Sequence, residues 1–340
     1  MPKIIGENID RLCNIEYRPA VGSQRGDIMR YYNAAREVQK VPLSYLCAKA
    51  LMDRVKEGDT VLFVTGARFP HLLPYGETDG PLGVAALAKA VERGLGAKTV
   101  VTVEESNDVP TRGCLMGVGC NVRDLDEWKI TDGACYLDWY PLGSEKGPEH
   151  AKYLVETFKP KAIVFCEKHG PNEVGYCHSV HGARIPPEEF ANTWHLLDEA
   201  KKHGILTIGT GDGGNEIGNG IIYEYAREIS PYGKKCQCGC GGGTATVCKT
   251  DIFFAAAISN WGLYGVSAML AYMLGDVDVM HTVDDERRML EACAMGGSVD
   301  GMSMRPICRV DGVSMAGGQA FVTLLREIVS DGLGKCTRKE

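Results

Sequence analysis

The sequence ILTIGTGDGGNEIGNG, at residues 205–220, indicates both the fold class and the position of a site. Its first four residues form the apolar run of a buried strand, and six of the next twelve are glycine. A strand that ends in a glycine-rich loop is where open α/β sheets place their ligand sites. The loop also carries Asp212, Asn215 and Glu216. Its two carboxylates would repel an anion and favour a metal ion, an ammonium group or a proton in transit.

Other apolar runs predict further buried strands at residues 60–65, 98–103, 161–166 and 251–258. Helical patterns alternate with them, among others at residues 42–56, 82–95 and 187–203, after an opening helix and a loop that contains Gly22. This alternation is typical of a parallel sheet. We therefore expect a single Rossmann-like α/β domain over residues 1–340, with three layers, a mostly parallel sheet and helices on both faces. The strand signal is weaker in residues 104–150, which leaves room for a small subdomain there.

Polar side chains follow four of these predicted strands, at the point where each strand ends. The carboxyl ends of parallel strands lie along one edge of a sheet, so these side chains predict one pocket of carboxylates, amides and an arginine. Thr78 or Asp79 alone is equally consistent with a cap on the next helix. The candidates are Arg68, Glu77, Thr78 and Asp79 after the first strand, Glu167 after the 161–166 strand, Asp212 and Glu216 in the glycine-rich loop, and Ser259 and Asn260 after the 251–258 strand.

Composition limits the classes of function. The net charge of −7 and the pI near 5.7 provide no basic surface for nucleic acid, which favours a small-molecule ligand. The 14 cysteines are too dilute for a disulfide scaffold, and the first residues do not form a secretory leader, so we expect a cytoplasmic protein with free thiols. Residues 252–275 carry no charge, but polar residues and glycines interrupt them, which predicts a buried strand and helix rather than a membrane span.

The cysteines and histidines give a weaker metal signal. Cys236, Cys238 and Cys240 follow a C-x-C-x-C spacing, whereas zinc sites usually pair cysteines as C-x-x-C. The histidines at positions 169, 178 and 181 match no tight zinc pattern either. The sequence therefore favours reduced thiols in a flexible flap over a metal cluster, and structural or surface roles for the histidines.

A dinucleotide-dependent oxidoreductase is the main alternative, because residues 209–214 match G-x-G-x-x-G after a strand. That fingerprint requires a regular helix after its third glycine and an acidic partner for the ribose about 20 residues further on. Here Gly218 and Gly220 interrupt the start of a helix, and a turn at residues 230–233 occupies the place of the acidic residue. Asp212 would also face the pyrophosphate. The context thus disfavours a nucleotide cofactor.

Three stretches stand out together, namely GDGGNEIG at residues 211–218, ETDGP at 77–81 and SNWG at 259–262. Together they resemble the C-terminal domain of D-glutamate cyclase and its free-standing bacterial relatives. The resemblance implies conversion of D-glutamate to 5-oxo-D-proline with loss of water, assisted by a divalent ion such as Mg²⁺ or Mn²⁺. The animal enzyme carries a further N-terminal domain similar to a hydro-lyase. For free-standing members the resemblance therefore also implies other possibilities. The substrate could be another amino acid, or the reaction could be a related cyclisation, hydrolysis or elimination.

The chemistry of such a cyclisation suits the candidate side chains. The α-ammonium group must lose a proton before it attacks, which requires a general base, Asp212 or Glu216. Glu77, Asp79 and Asp212 supply oxygen ligands for a hard metal ion. Asn215 and Asn260 would hydrogen-bond substrate carboxylate oxygens, and Arg68 would bind one bidentately. Thr78, Glu167, Ser259, Gly213 and Gly214 complete the predicted substrate contacts. A non-catalytic amino-acid-binding protein remains a further alternative, and a homo-oligomer is the expected state.

Overall fold

The computed structural model describes residues 1–17 and 24–334, so the predicted loop at Gly22 lies outside the described residues. Its centre is a seven-stranded, all-parallel sheet with the strand order β3-β4-β2-β1-β5-β6-β7. A small antiparallel hairpin, β8 and β9, lies apart from it. The strands are β1 (Thr60–Val64), β2 (Lys98–Val103), β3 (Asn121–Arg123), β4 (Ala134–Trp139), β5 (Ala162–Cys166), β6 (Leu206–Gly211), β7 (Ile252–Ala255), β8 (Arg309–Val310) and β9 (Val313–Ser314).

Successive residues of the central strands enter two different cores, because side chains alternate between the faces of a sheet. In β1, Val61 and Phe63 belong to the larger core, whereas Leu62 and Val64 belong to the smaller one. All four side chains are fully buried. This is the pattern expected of a sheet covered on both faces, where strands form continuous apolar runs.

Helices cover both faces and complete the three layers. The smaller core is closed by apolar residues of α6, α7 and α8, and most other helices contribute to the larger core. The helices are α1 (Pro2–Cys13), α2 (Asp27–Gln39), α3 (Leu43–Arg54), α4 (Pro81–Leu95), α5 (Asp108–Gly117), α6 (Leu125–Ile130), α7 (Gly147–Phe158), α8 (His195–His203), α9 (Tyr223–Ile229), α10 (Ser259–Leu274), α11 (Val283–Met295) and α12 (Met315–Gly332). No helix of the described residues is long and apolar enough to cross a membrane.

The predicted fold class is confirmed, with local differences. The helix predicted over residues 187–203 is only a 3₁₀ turn, Pro187–Glu189, followed by the shorter α8. Between them Phe190 is extended and packs into a separate small cluster with Cys177 and Ile185, so tertiary packing overrides the helical spacing. Strands β3 and β4, from the region considered for a subdomain, pair into the main sheet.

The strand order also locates the site. From central β1 the chain first builds β2, β4 and β3 on one side, and then returns to place β5, β6 and β7 on the other. The loops that leave β1 and β5 therefore diverge at the boundary between these two strands. This boundary is a topological switch point, where open α/β sheets form a crevice at the carboxyl ends of their strands.

Candidate active site

A cavity of about 100 Å³ lies at this switch point. Its wall is formed by the loops after β1, β5 and β6 and by the turn of the β8–β9 hairpin. Five carboxylates line it, together with two histidines, a serine and several apolar side chains. The polar lining consists of Glu77, Asp79, Glu167, His169, Ser179, His181, Asp212 and Asp311.

The glycine-rich loop after β6 wraps around the carboxylate of Glu216. That carboxylate accepts hydrogen bonds from the backbone N–H groups of Gly213 and Gly214, at 2.8 and 2.9 Å, and from the Asn219 side chain at 2.8 Å. A Cβ at Gly211 would lie 2.8 Å from a Glu216 carboxylate oxygen, so only glycine leaves room for it there. Because both N–H groups bind the loop's own carboxylate, they are not available to a phosphate.

Asp79 caps the start of α10, and Asn260, in the first turn of α10, caps the start of α4. The Asp79 carboxylate accepts from the backbone N–H groups of Ser259 and Asn260, at 2.9 and 2.7 Å, at the start of α10. The Asn260 side-chain oxygen accepts from the N–H groups of Gly80 and Gly83, at 2.8 and 2.7 Å, at the start of α4. Asp79 therefore does cap a helix, but the helix is α10, which lies 180 residues further along the chain.

Glu167 follows β5 directly and has a left-handed backbone conformation, with φ at 49°. Non-glycine residues adopt this conformation rarely, and such strain is common at functional sites. The conformation accompanies a turn into the cavity, where the Glu167 carboxylate accepts a hydrogen bond of 2.5 Å from the Ser259 hydroxyl. Two residues predicted to bind substrate thus contact each other.

Burial and mutual repulsion raise the pKa values of the cavity carboxylates. Desolvation is the main cause for Glu77, Glu167 and Asp212, and the charges of neighbouring carboxylates add to it. Desolvation and the nearby Asp311 charge raise the pKa of Asp79 to about 8, against the lowering effect of its backbone hydrogen bonds. Desolvation, followed by the charge of Lys168, lowers the pKa of His169 to about 4, which keeps this imidazole neutral. The cavity therefore favours protons or other cations.

The carboxylates are close enough to share a cation. Oxygens of Asp79, Asp212 and Asp311 lie within 4.8 Å of one another, and so do oxygens of Glu167, Asp212 and Glu216. Asp212 is common to both groups. Hard divalent ions prefer such oxygen ligands, so the donor set fits Mg²⁺ or Mn²⁺. Glu77, predicted as a ligand, lines the same cavity but belongs to neither group, and Asp311 lies close to Asp79 and Asp212 instead.

Seven predicted residues lie outside the cavity lining, namely Gly214, Glu216 and Ser259, whose contacts are described above, and Arg68, Thr78, Asn215 and Asn260. The Arg68 guanidinium donates to the carbonyl of Glu189, and the Thr78 hydroxyl donates to the carbonyl of Arg309 at 2.7 Å. The Asn260 side chain is occupied by its helix-capping bonds. The remaining one, Asn215, donates to the His178 carbonyl at 2.8 Å. Among the described residues, these side chains therefore connect segments of the protein.

Sequence reasoning missed Asp311 and favoured structural or surface roles for His169 and His181, although all three line the cavity. Asp311 and Gly312 form the turn between β8 and β9. An Asp-Gly pair between short apolar segments is a recognised hairpin signal, which would have identified the turn but not its position in the fold. His169 forms an isolated bridge to Glu216, a contact that the sequence does not reveal.

The all-parallel sheet and its lining of acidic loops define an α/β protein with an acidic cavity at the topological switch point. A model of the family described as D-glutamate cyclase-like, C-terminal, matches residues 28–326. The chain therefore belongs to this family. No curated protein matches the sequence.

Similar solved structures are distant. A structure described as SPT with PLP has 9% identity and a TM-score of 0.22, and it covers 97% of this chain and 84% of that chain. A serine palmitoyltransferase from S. paucimobilis with bound PLP-myriocin aldimine has 10% identity and a TM-score of 0.21, with 96% and 84% covered. Likeness at this level carries no argument about fold or function.

Proposed function

We propose that the protein catalyses an intramolecular cyclisation of D-glutamate, or of a closely related amino acid, to 5-oxo-D-proline with loss of water. Membership of the D-glutamate cyclase-like family supports this choice of reaction. The observation that carries the proposal is the gathering of five carboxylates around one small cavity. An α-ammonium group matches such a lining in charge, and its deprotonation needs a basic carboxylate.

The proposed reaction needs a base for the ammonium group and an acid for the leaving oxygen. The ammonium nitrogen loses two protons and forms a C–N bond to the carbon of the γ-carboxyl group, while one oxygen of that group leaves with both protons as water. Asp212 is the proposed base, because its half-buried carboxylate lines the cavity and is common to both groups of converging carboxylates. Glu167 is the proposed acid, since its raised pKa favours a protonated carboxyl group.

Substrate carboxylates need a positive partner in this cavity. The described lining contains neither lysine nor arginine, and His169 is held neutral. We propose that Asp79, Asp311 and one oxygen of Asp212 would hold a divalent cation, which leaves the second Asp212 oxygen for the base. Bound there, Mg²⁺ or Mn²⁺ would supply charge neutralisation and polarisation of the γ-carboxyl group. The exposed His181 at the rim would add a hydrogen bond to the substrate.

The direct test is a product assay. Purified protein would be incubated with D-glutamate or L-glutamate, with and without Mg²⁺ or Mn²⁺, and 5-oxoproline would be separated by chiral chromatography. We expect 5-oxo-D-proline from D-glutamate, with a higher rate in the presence of the metal. Calorimetric binding of D-glutamate without turnover would favour a binding protein. Absence of both binding and product across acidic amino acids would reject the proposed substrate class.

A further inference from the structure

A second cluster of ligand atoms lies outside the acidic cavity. The Cys236 sulfur is 3.4 Å from the Cys238 sulfur and 3.2 Å from the Cys240 sulfur. The His178 Nε2 atom is 3.2 Å from the Cys238 sulfur and 3.7 Å from the Cys240 sulfur. All four ligand atoms lie within 4.8 Å of one another. Three sulfurs and one imidazole nitrogen thus share one small volume.

This convergence requires a specific backbone path. In an extended strand, two residues four positions apart are separated by roughly 13 Å, and side chains two apart point in the same direction. The chain instead turns back at Gly239 and Gly241, whose φ values of +79° and +85° are favourable only for glycine. The alternating C-x-C-x-C spacing therefore folds into a compact three-sulfur group.

The histidine is oriented for a ligand role. Its Nδ1 atom lies 3.1 Å from the carbonyl of Tyr176, a partner that requires the proton to be on Nδ1. The lone pair of Nε2 then faces the sulfurs. Histidines that bind metals almost always donate their other ring N–H in this way. The Asn172 side chain also donates to the Cys240 sulfur at 3.5 Å, as expected around a metal-bound thiolate.

We propose that His178, Cys236, Cys238 and Cys240 form a structural zinc site. Zinc prefers four-coordinate tetrahedral sites of cysteine and histidine, and closed Cys₃His sets are typical of structural sites. Zn–S and Zn–N bonds of about 2.3 and 2.0–2.1 Å place neighbouring ligand atoms roughly 3.5–3.8 Å apart. The observed separations differ from this range by a few tenths of an ångström, so small side-chain movements complete the tetrahedron.

The zinc would join two segments of the chain at one wall of the acidic cavity. His178 precedes Ser179, Val180 and His181, which line that cavity, and the Gly182 carbonyl accepts from the Gln237 N–H at 2.9 Å. The three cysteines belong to the other segment. Bound zinc would therefore fix the cavity wall from outside. This inference concerns a site separate from the cavity carboxylates and does not rest on the proposed reaction.

Metal analysis of the whole protein tests the site directly. Protein purified under reducing conditions, without an affinity tag that binds metal, would be analysed by inductively coupled plasma mass spectrometry. We expect one zinc per chain in the wild type and in Cys308→Ser, a matched control at a partly exposed cysteine outside the cluster. Cys238→Ser and His178→Ala should lose the zinc. Zinc retained by both variants, or a wild type without zinc, would overturn the proposal.

Cobalt substitution gives a second measurement that does not depend on whether the variants fold. Wild-type protein refolded with Co²⁺ should show the visible absorption of tetrahedral cobalt and a near-ultraviolet band from thiolate-to-cobalt charge transfer. Zinc should abolish both bands by displacement. Octahedral, weakly absorbing cobalt would contradict thiolate ligation. A disulfide among the three cysteines in freshly reduced protein, detected by mass spectrometry, would also reject the site.

Discussion

The acidic cavity and the cysteine cluster each hold several ligand groups close together, but with different atoms and by different contacts. In the cavity, hard carboxylate oxygens are held close together by backbone N–H groups and helix starts, and their pKa values rise because burial desolvates them and, in addition, because they repel one another. In the cluster, soft sulfur atoms meet one oriented imidazole across a glycine turn. The comparison predicts two cation sites of different chemistry, an exchangeable site in the acidic cavity and a structural site at the cysteine cluster. Residues 178–182 connect the two, because His178 belongs to the cluster and the next three residues line the cavity.

The largest effect is expected from replacing the proposed base. Asp212→Asn should lower kcat by about 10²–10⁴-fold, the usual contribution of a general base. The metal-free variant should be at least as stable as the wild type, because one of several repelling buried carboxylates is removed. Steady-state kinetics and thermal melts measure the two quantities. Asp53→Asn, at an exposed position, is the matched control with full activity. Full turnover by Asp212→Asn would remove this residue from the mechanism.

The next largest effect is a pH-dependent rise in Tm when magnesium binds in the cavity. Because the pKa of Asp79 is raised to about 8, the folded state holds a proton that the unfolded state releases. In the metal-free protein, the contribution of Asp79 to the free energy of unfolding is therefore fully present below about pH 4. It is lost as the pH rises through about 8. Magnesium competes with that proton, so it should raise Tm more at pH 8 than at pH 6. Magnesium at a concentration of 100 Kd should raise the free energy of unfolding by about 2.7 kcal/mol.

The same experiment separates the two regions. Cys238→Ser should show the wild-type magnesium shift, because sulfur ligands take no part in binding a hard ion. A magnesium shift that is larger at pH 6 than at pH 8 would contradict proton competition at the carboxylates. Loss of the shift in Cys238→Ser would show that the two regions are one coupled unit.

A smaller effect is expected at the neutral hydrogen bonds by which Asn260 caps α4. Asn260→Ala removes the acceptor for the N–H groups of Gly80 and Gly83 and should lower the free energy of unfolding by about 2 kcal/mol. Urea unfolding measures this change. Asn33→Ala, on the exposed face of α2, should change it by less than about 0.5 kcal/mol. If Asn260→Ala left the free energy of unfolding unchanged but raised KM, Asn260 would contact the substrate, as expected from the sequence.

The smallest effect is expected at the bond between the two regions. Asn215→Ala removes the hydrogen bond to the His178 carbonyl and should reduce stability by about 1 kcal/mol. Turnover should fall much less than in Asp212→Asn, because the Asn215 side chain does not line the cavity. Parallel kinetics and urea titrations test both statements. A loss of turnover as large as that of Asp212→Asn would place Asn215 in the reaction, as expected from the sequence.

The fold was largely predictable because its central strands are uninterrupted apolar runs between polar loops. Strand β3 gave a weak signal because Asn121 and Val122 are only half-buried and Arg123 is exposed at the sheet edge. The apolar pattern predicts a helix only over residues 263–274, whereas α10 begins at Ser259. Its cap is Asp79, and local sequence cannot reveal a cap that is 180 residues away.

The site was predictable where it follows the sheet edge and unpredictable where it depends on other contacts. Glu77, Asp79, Glu167 and Asp212 lie in loops after strands, and the parallel order alone brings them together. Asp311 enters from a hairpin near the C-terminal helix. His178 meets cysteines about 60 residues away, a distance at which no spacing rule applies.

The exchanged caps of α4 and α10 have a consequence for the order of folding. Each helix start depends on a side chain about 180 residues away, so closing this contact carries the entropy cost of a very long loop. During synthesis, residues 77–83 leave the ribosome long before Asn260 exists. The contacts that hold Asp79 in the cavity are therefore completed only after α10 has been made and has docked, and nascent chains that end before it carry the acidic loops without an assembled site.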